Sequence, residues 1–254
     1  MKRFISRDPD RLERVPFVQV LPNMVTLAGM CLGLTSIRYS VDERFATALV
    51  LIIFAGLMDG LDGLLARRLN ATSNFGKELD SLSDFLCFGV APGVLIYQLH
   101  LGPSGSLGWV FVLVFAAAAC LRLARFNVMR GLAQEGEAET TTPHFLGVPA
   151  PGGAMLALLP AFLTLGGIVD FRHVPLLVAL WMGLVGLLMI SNLKTISPKA
   201  LRVPRGAIGL MLFATVIGIG LIFTRPWLLL ITLDLIYLTL VLRSVVKARG
   251  AIFS

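Results

Sequence analysis

Apolar residues in this chain fall in long blocks separated by short polar stretches. Eight blocks can be drawn, at 21–38, 45–66, 78–99, 106–128, 149–169, 174–191, 206–223 and 226–243. Each is close to the ~20 residues that carry an α-helix across the hydrocarbon core of a bilayer. The pattern predicts an all-α, polytopic membrane helix bundle with about eight transmembrane helices. It divides the chain into a cytoplasmic or interfacial N-terminal segment, 1–20, and one transmembrane domain, 21–254. Within the first segment, Phe4, Ile5, Leu12, Val15, Phe17 and Val18 suit either a short helix on the membrane surface or a flexible tail. Residues 1–14 are too polar to read as a signal peptide.

Composition supports the block pattern. Hydrophobic residues make up 56% of the chain and charged residues 15%, where a soluble domain carries about 25% charged residues. The mean hydropathy is +0.84. Cys31, Cys87 and Cys120 are far apart inside apolar blocks, so they form neither a CxxC pair nor a disulfide framework and read as small core residues.

Charge then orients the helices. An even number of crossings puts both termini on one side. Eighteen of the 22 Lys and Arg residues fall on that side, leaving only Arg38, Arg44, Arg172 and Arg225 on the other. The positive-inside rule therefore predicts that both termini face the cytoplasm, as expected in the cytoplasmic membrane of a prokaryote. The net charge of +7 is explained by this topology and by affinity for anionic headgroups, with no nucleic-acid partner implied. The polar segment 133–144, with Glu135, Glu137 and Glu139, reads as a mobile connection or at most a lid.

Candidate chemistry is concentrated in the second and third blocks. Ionisable residues inside a membrane span are costly and need a reason. Asp59 and Asp62 are three apart and Asp80 and Asp84 four apart, so each pair shares a helical face. Gly63 and Ala66 join the Asp59 face, and Gly76 joins the Asp80 face. From the helix ends marked by Arg67, Arg68 and Lys77, the first pair lies about 7–12 Å and the second about 5–10 Å inside the cytoplasmic end. Antiparallel helices with a short connection bring all four carboxylates to one level. Their mutual repulsion calls for hard divalent cations, and four carboxylates suit two ions in phosphoryl chemistry. Mg2+ and Mn2+ both accept carboxylate oxygen. Gly63 and Gly76, beside the carboxylates, suit close approach of a nucleotide, whereas Gly29 and Gly33 read as helix packing.

Residues 59–84 fit the signature DxxDGxxARx8GxxxDxxxD at every defined position. The chain thereby resembles the CDP-alcohol phosphotransferase family. The resemblance implies a six-helix membrane core, a divalent-metal site open to the cytoplasm and a homodimer. It implies that Asp59, Asp62 and Asp80 are metal ligands, that Asp84 shares metal binding with general-base work, and that Gly63, Ala66, Arg67 and Gly76 cradle the CDP moiety. The last two blocks fall outside this core. Pro22–Thr26, Leu123–Val128, Phe145–Pro151 and Met189–Lys194 add a narrower resemblance to membrane-type phosphatidylserine synthases.

On that resemblance, the lipid tails of CDP-diacylglycerol stay in the bilayer and its pyrophosphate reaches the metal site. Asp84 accepts the proton of a serine hydroxyl as it attacks phosphorus, and CMP leaves. Arg125 is a candidate fork for the serine carboxylate, with Asn127, Asn192 and Lys194 as polar partners, although Arg125 also reads as a cytoplasmic anchor. Glycerol 3-phosphate, an inositol phosphate or choline are alternative acceptors, the first two served by the basic group Arg122, Arg125, Arg130, Lys194 and Arg205. An ion-coupled transporter is an alternative of another class. It would place carboxylates near the midplane and repeat them between halves, but the second half has only Asp170 and Asp234.

Overall fold

The structure is a computed structural model that describes residues 17–134, 145–191, 194–195 and 208–247. Nearly all of these are helical. In chain order the helices are α1 (Phe17–Val41), α2 (Phe45–Arg68), α3 (Asn74–Asp84), α4 (Ala91–Ile96), α5 (Gly105–Gln134), α6 (Ala150–Leu165), α7 (Pro175–Ile190), α8 (Ile208–Thr224) and α9 (Pro226–Lys247). Two π-helical turns, Phe85–Val90 and Tyr97–Leu101, join α3 and α4 into one rod that ends at Leu101. Among the described residues, each of the eight apolar blocks thus corresponds to one helical rod.

Four stretches are long and apolar enough to cross a membrane: Val20–Val41, Phe45–Arg68, Asn74–Met129 and Pro226–Lys247. The apolar helices Ala150–Leu165, Pro175–Ile190 and Phe213–Thr224 are shorter. The protein is built as an integral membrane protein. The long stretch Asn74–Met129 reverses direction at Gly102–Gly105, where Gly105 takes φ +56°, a conformation that glycine adopts without penalty. The reversal is antiparallel: a Cβ on Gly93 would meet Val112, and one on Gly89 would meet Ala119.

The bundle is closed by small residues. The buried positions of α1 are Pro22, Thr26, Gly29, Gly33, Ser36 and Ser40, a stripe recurring every three or four residues. A Cβ on Gly29 would lie 3.2 Å from Met58, and one on Gly33 only 2.7 Å from Cys87 Sγ. The absence of bulk lets α1 lie close to α2 and to the third rod, which is how helices associate where burial in lipid offers no net drive. The expectation that Gly29 and Gly33 serve packing agrees with these contacts.

On α2 the inward stripe runs through Ala48, Ile52 and Ala55 and ends on buried Asp62. Asp59 occupies the same stripe by helical spacing. The carboxylates therefore continue the apolar seam at its polar end. On α3, Ser73 is the N-cap and its Oγ accepts from the Gly76 N–H at 3.0 Å. The π turn after Asp84 precedes Pro92, which has no N–H to donate to the residue four back. There the Ala91 N–H reaches the Leu86 carbonyl, five residues back.

A two-residue ladder ties the start of α6 to the end of α7. Strand β1 (Phe145–Leu146) pairs antiparallel with β2 (Lys194–Thr195), with Phe145 opposite Thr195 and Leu146 opposite Lys194. Gly147 takes φ +79°, and a Cβ there would meet the Met189 carbonyl oxygen at 2.5 Å. The backbones can approach this closely only at glycine. The pairing depends on a partner about fifty residues away, which local sequence does not reveal.

Candidate metal and nucleotide site

Asp59, Asp62 and Asp80 each present a carboxylate oxygen, and the three oxygens lie within 4.8 Å of one another. Oxygens bound to a divalent ion at 2.0–2.6 Å lie up to about 4–5 Å apart across it. The donor set and its spacing therefore fit one hard cation. Asp84 stands outside that group of three. Its carboxyl and that of Asp80 are both within hydrogen-bonding range of Asp59. Antiparallel α2 and α3 thus place four acidic side chains at one level, as the three- and four-residue spacings predict.

Neighbouring elements fix these side chains. The Thr26 hydroxyl on α1 donates to Asp62 Oδ2 at 2.5 Å, and Asp62 is only 4% exposed. The Ser83 hydroxyl donates to the Thr26 carbonyl at 3.4 Å, and Cys87 Sγ to the Gly29 carbonyl at 3.5 Å. Three helices are thereby held together around one carboxylate.

A cavity of about 160 Å³ opens beside the cluster, lined by Thr26, Asp62, Gly63, Ala66, Arg67, Gly76, Lys77 and Asp80, with Pro22, Asn23 and Ala71–Ser73 completing its wall. All four positions expected to cradle a nucleotide line it. Arg67 is exposed at the end of α2, with its Nη2 3.9 Å from where a Gly63 Cβ would stand. A Cβ on Gly76 would lie 2.9 Å from Asn23 Oδ1 and 3.2 Å from Ser73 Oγ. The space over Gly76 exists because glycine is there.

The residues expected to meet an acceptor are distributed differently. Arg125 is exposed, whereas Arg122, one turn deeper on α5, lies in electrostatic range of Asp84. The Asn127 amide donates to Ser81 Oγ at 2.9 Å, linking α5 to α3 beside Asp80. Lys194 stands on β2 opposite Leu146. Asn192 lies outside the described residues, as do Arg202, Arg205, His144 and the segments 1–16 and 135–144. His100 is fully buried and bonds Thr164 Oγ1 through Nε2 at 2.9 Å, remote from the cluster.

Sequence reasoning gave Thr26 no role at the site, and named Arg122 only within the basic group that would serve a phosphorylated acceptor. Thr26 falls within the motif Pro22–Thr26, but its partner is 36 positions away. Arg122 and Arg125 differ by 300° of helical rotation, and only the packing of α5 decides which of them faces Asp84.

A carboxylate cluster that could hold a metal, beside a glycine-lined cavity in a bundle of membrane helices, is the arrangement of a membrane phosphotransferase. The profile of the CDP-alcohol phosphatidyltransferase family matches residues 19–189, and the chain belongs to that family. It is similar to proteins named CDP-diacylglycerol–serine O-phosphatidyltransferase from three bacteria. The Mycobacterium leprae protein is 34% identical over 230 residues, covering 90% of this chain and 75% of its own. The Helicobacter pylori (strain 26695) protein is 34% identical over 215 residues, covering 82% and 83%. The Bacillus subtilis protein is 33% identical over 175 residues, covering 68% and 88%.

Proposed function

We propose that this protein transfers the phosphatidyl group of CDP-diacylglycerol to the hydroxyl of L-serine, giving phosphatidylserine and CMP. The observation that carries the reading is the set of three carboxylate oxygens within 4.8 Å beside the glycine-lined cavity. The choice of serine is supported by the names of the relatives.

In this reading Asp59, Asp62 and Asp80 hold a divalent ion, Mg2+ or Mn2+, with Asp84 able to join in holding a second; the metal supplies charge neutralisation at the pyrophosphate. Gly63, Ala66 and Gly76 leave room for the CDP moiety, and Arg67 holds a phosphate by charge-assisted hydrogen bonds. Asp84 accepts the proton of the serine hydroxyl. The serine oxygen bonds to the phosphorus that carries diacylglycerol, and the bond from that phosphorus to the CMP oxygen breaks. A cation from α5 meets the serine carboxylate, and the position of Arg122 beside Asp84 favours it over Arg125. Asn127 braces α3 through Ser81, while Asn192 and Lys194 are kept as polar partners of the acceptor from the sequence alone. Both termini and the site face the cytoplasm, following the distribution of Lys and Arg, and the protein works as a homodimer.

The test is CMP release by the purified protein with CDP-diacylglycerol and Mg2+ or Mn2+. Serine, glycerol 3-phosphate, inositol phosphate and choline are added one at a time. Release that depends on serine is expected. Release that depends on another of the four would replace serine as acceptor and keep the transfer chemistry.

A further inference from the structure

Helix α9 lies beyond residues 19–189, the part matched by the family profile, yet it packs against α6 and carries the polar groups Asp234 and Tyr237. Asp234 is 1% exposed, and neither of its carboxylate oxygens has a hydrogen-bond partner among the described residues. The Tyr237 hydroxyl and Arg122 Nε are likewise buried and unpartnered. Three such groups in one membrane bundle are costly by any measure.

Tyr237 links the other two, being in electrostatic range of both Arg122 and Asp234. Asp234 and Tyr237 are three apart and share a face of α9, and they are in electrostatic range of each other. Arg122 is in range of Tyr237 on one side and of Asp84 on the other. The Tyr237 hydroxyl sits directly over Gly152, in the first turn of α6, where any Cβ would collide with it. That end of α6 follows Gly147 and the β1–β2 ladder, so it belongs to the same end of the bundle as Asp84. Gly89, five residues after Asp84, meets Ala119, three residues before Arg122.

We propose that Arg122, Tyr237 and Asp234 form the acceptor pocket, in which Arg122 takes the carboxylate and Asp234 the ammonium group of an amino-acid alcohol. Tyr237 stands between them as a hydroxyl that can donate or accept. A zwitterion supplies both missing partners at once, whereas a phosphorylated alcohol leaves Asp234 facing like charge. Arg122 lies in electrostatic range of Asp84, the group assigned to take the acceptor's proton. This inference rests on the serine reading above and gives α9 a role in it.

The test is steady-state CMP release by the full-length protein and its Asp234→Asn variant, varying serine and CDP-diacylglycerol separately. The serine KM should rise about tenfold or more, as loss of a charged hydrogen bond requires, while the donor KM stays within about twofold. Ethanolamine and 3-hydroxypropionate, which lack the carboxylate and the ammonium respectively, serve as competitors. Wild-type protein should prefer serine to either by about tenfold or more. Asp234→Asn should lose the preference over 3-hydroxypropionate and keep the preference over ethanolamine. An unchanged serine KM, or equal rises in both KM values, would overturn the pocket. If Asp234→Asn does not fold, Tyr237→Phe decides: a severalfold rise in the serine KM alone supports the pocket, and no rise overturns it. Serine-dependent release with an unaltered Asp234→Asn profile defeats this inference only, whereas wild-type release that ignores serine defeats it together with the serine reading.

Discussion

Thr26 Oγ1 donates a 2.5 Å hydrogen bond to Asp62 Oδ2, joining the small-residue face of α1 to the carboxylates of α2. With Asp62 in its proposed role of metal ligand, a group that orients it in this way contributes to metal affinity without touching the ion. Thr26→Val keeps the shape and removes the donor. It should raise the metal concentration for half-maximal CMP release by about 10–100-fold. An Mg2+ or Mn2+ titration that overlays the wild type would remove Thr26 from the site.

Asp84 is not one of the three carboxylates that could share a cation, but it lies within hydrogen-bonding range of Asp59 and in electrostatic range of Arg122. Asp84→Asn should abolish turnover while CDP-diacylglycerol binding stays measurable, because the proposed work of Asp84 is proton acceptance. Binding can be followed by protection against thermal unfolding. Turnover near the wild-type rate would assign the base elsewhere.

Two glycines in the motif region make a controlled pair. A methyl on Gly76 would meet Asn23 Oδ1 at 2.9 Å, whereas one on Gly60 meets nothing within 4 Å. Gly76→Ala should raise the KM for CDP-diacylglycerol by about tenfold or more, since a one-ångström misplacement in a positioning wall is costly. Gly60→Ala should change it little. Equal behaviour of the two variants would deny Gly76 a part in the cavity.

Gly147 combines φ +79° with a backbone contact that leaves no room for Cβ. A left-handed conformation alone costs a non-glycine residue about 1–2 kcal/mol. Gly147→Ala should therefore lower the thermal midpoint of the detergent-solubilised protein, and Gly131→Ala, which meets nothing within 4 Å, should not. A Gly147→Ala midpoint equal to that of Gly131→Ala would show that the start of α6 can be rebuilt without this approach.

The helical rods and the carboxylate cluster were legible because both follow from local rules. Block length sets a rod, and the spacings 59–62 and 80–84 set two faces that an antiparallel pair must bring together. Gly63, Ala66, Arg67 and Gly76 line the cavity for the same reason. Three features depend instead on how rods are rotated and paired. Choosing Arg122 over Arg125 requires the rotation of α5 about its axis. The Thr26–Asp62 bond requires the register of α1 on α2. The β1–β2 ladder requires the ends of α6 and α7 to meet. The π turns after Asp84 were also missed, although Pro92 marks a place where regular helical hydrogen bonding cannot continue.

The ladder between Phe145–Leu146 and Lys194–Thr195 has a mechanical consequence. Two helices joined only by a distant connection would ordinarily move independently at their ends. Here one pair of backbone strands, with Gly147 pressed against the last turn of α7, couples them as a clasp couples two straps. A displacement of the α7 end must carry the first turn of α6 with it, and with that turn the Tyr237 hydroxyl resting on Gly152. The side of the bundle facing Arg122 and Asp84 is thereby tied together by backbone pairing as well as by side-chain packing.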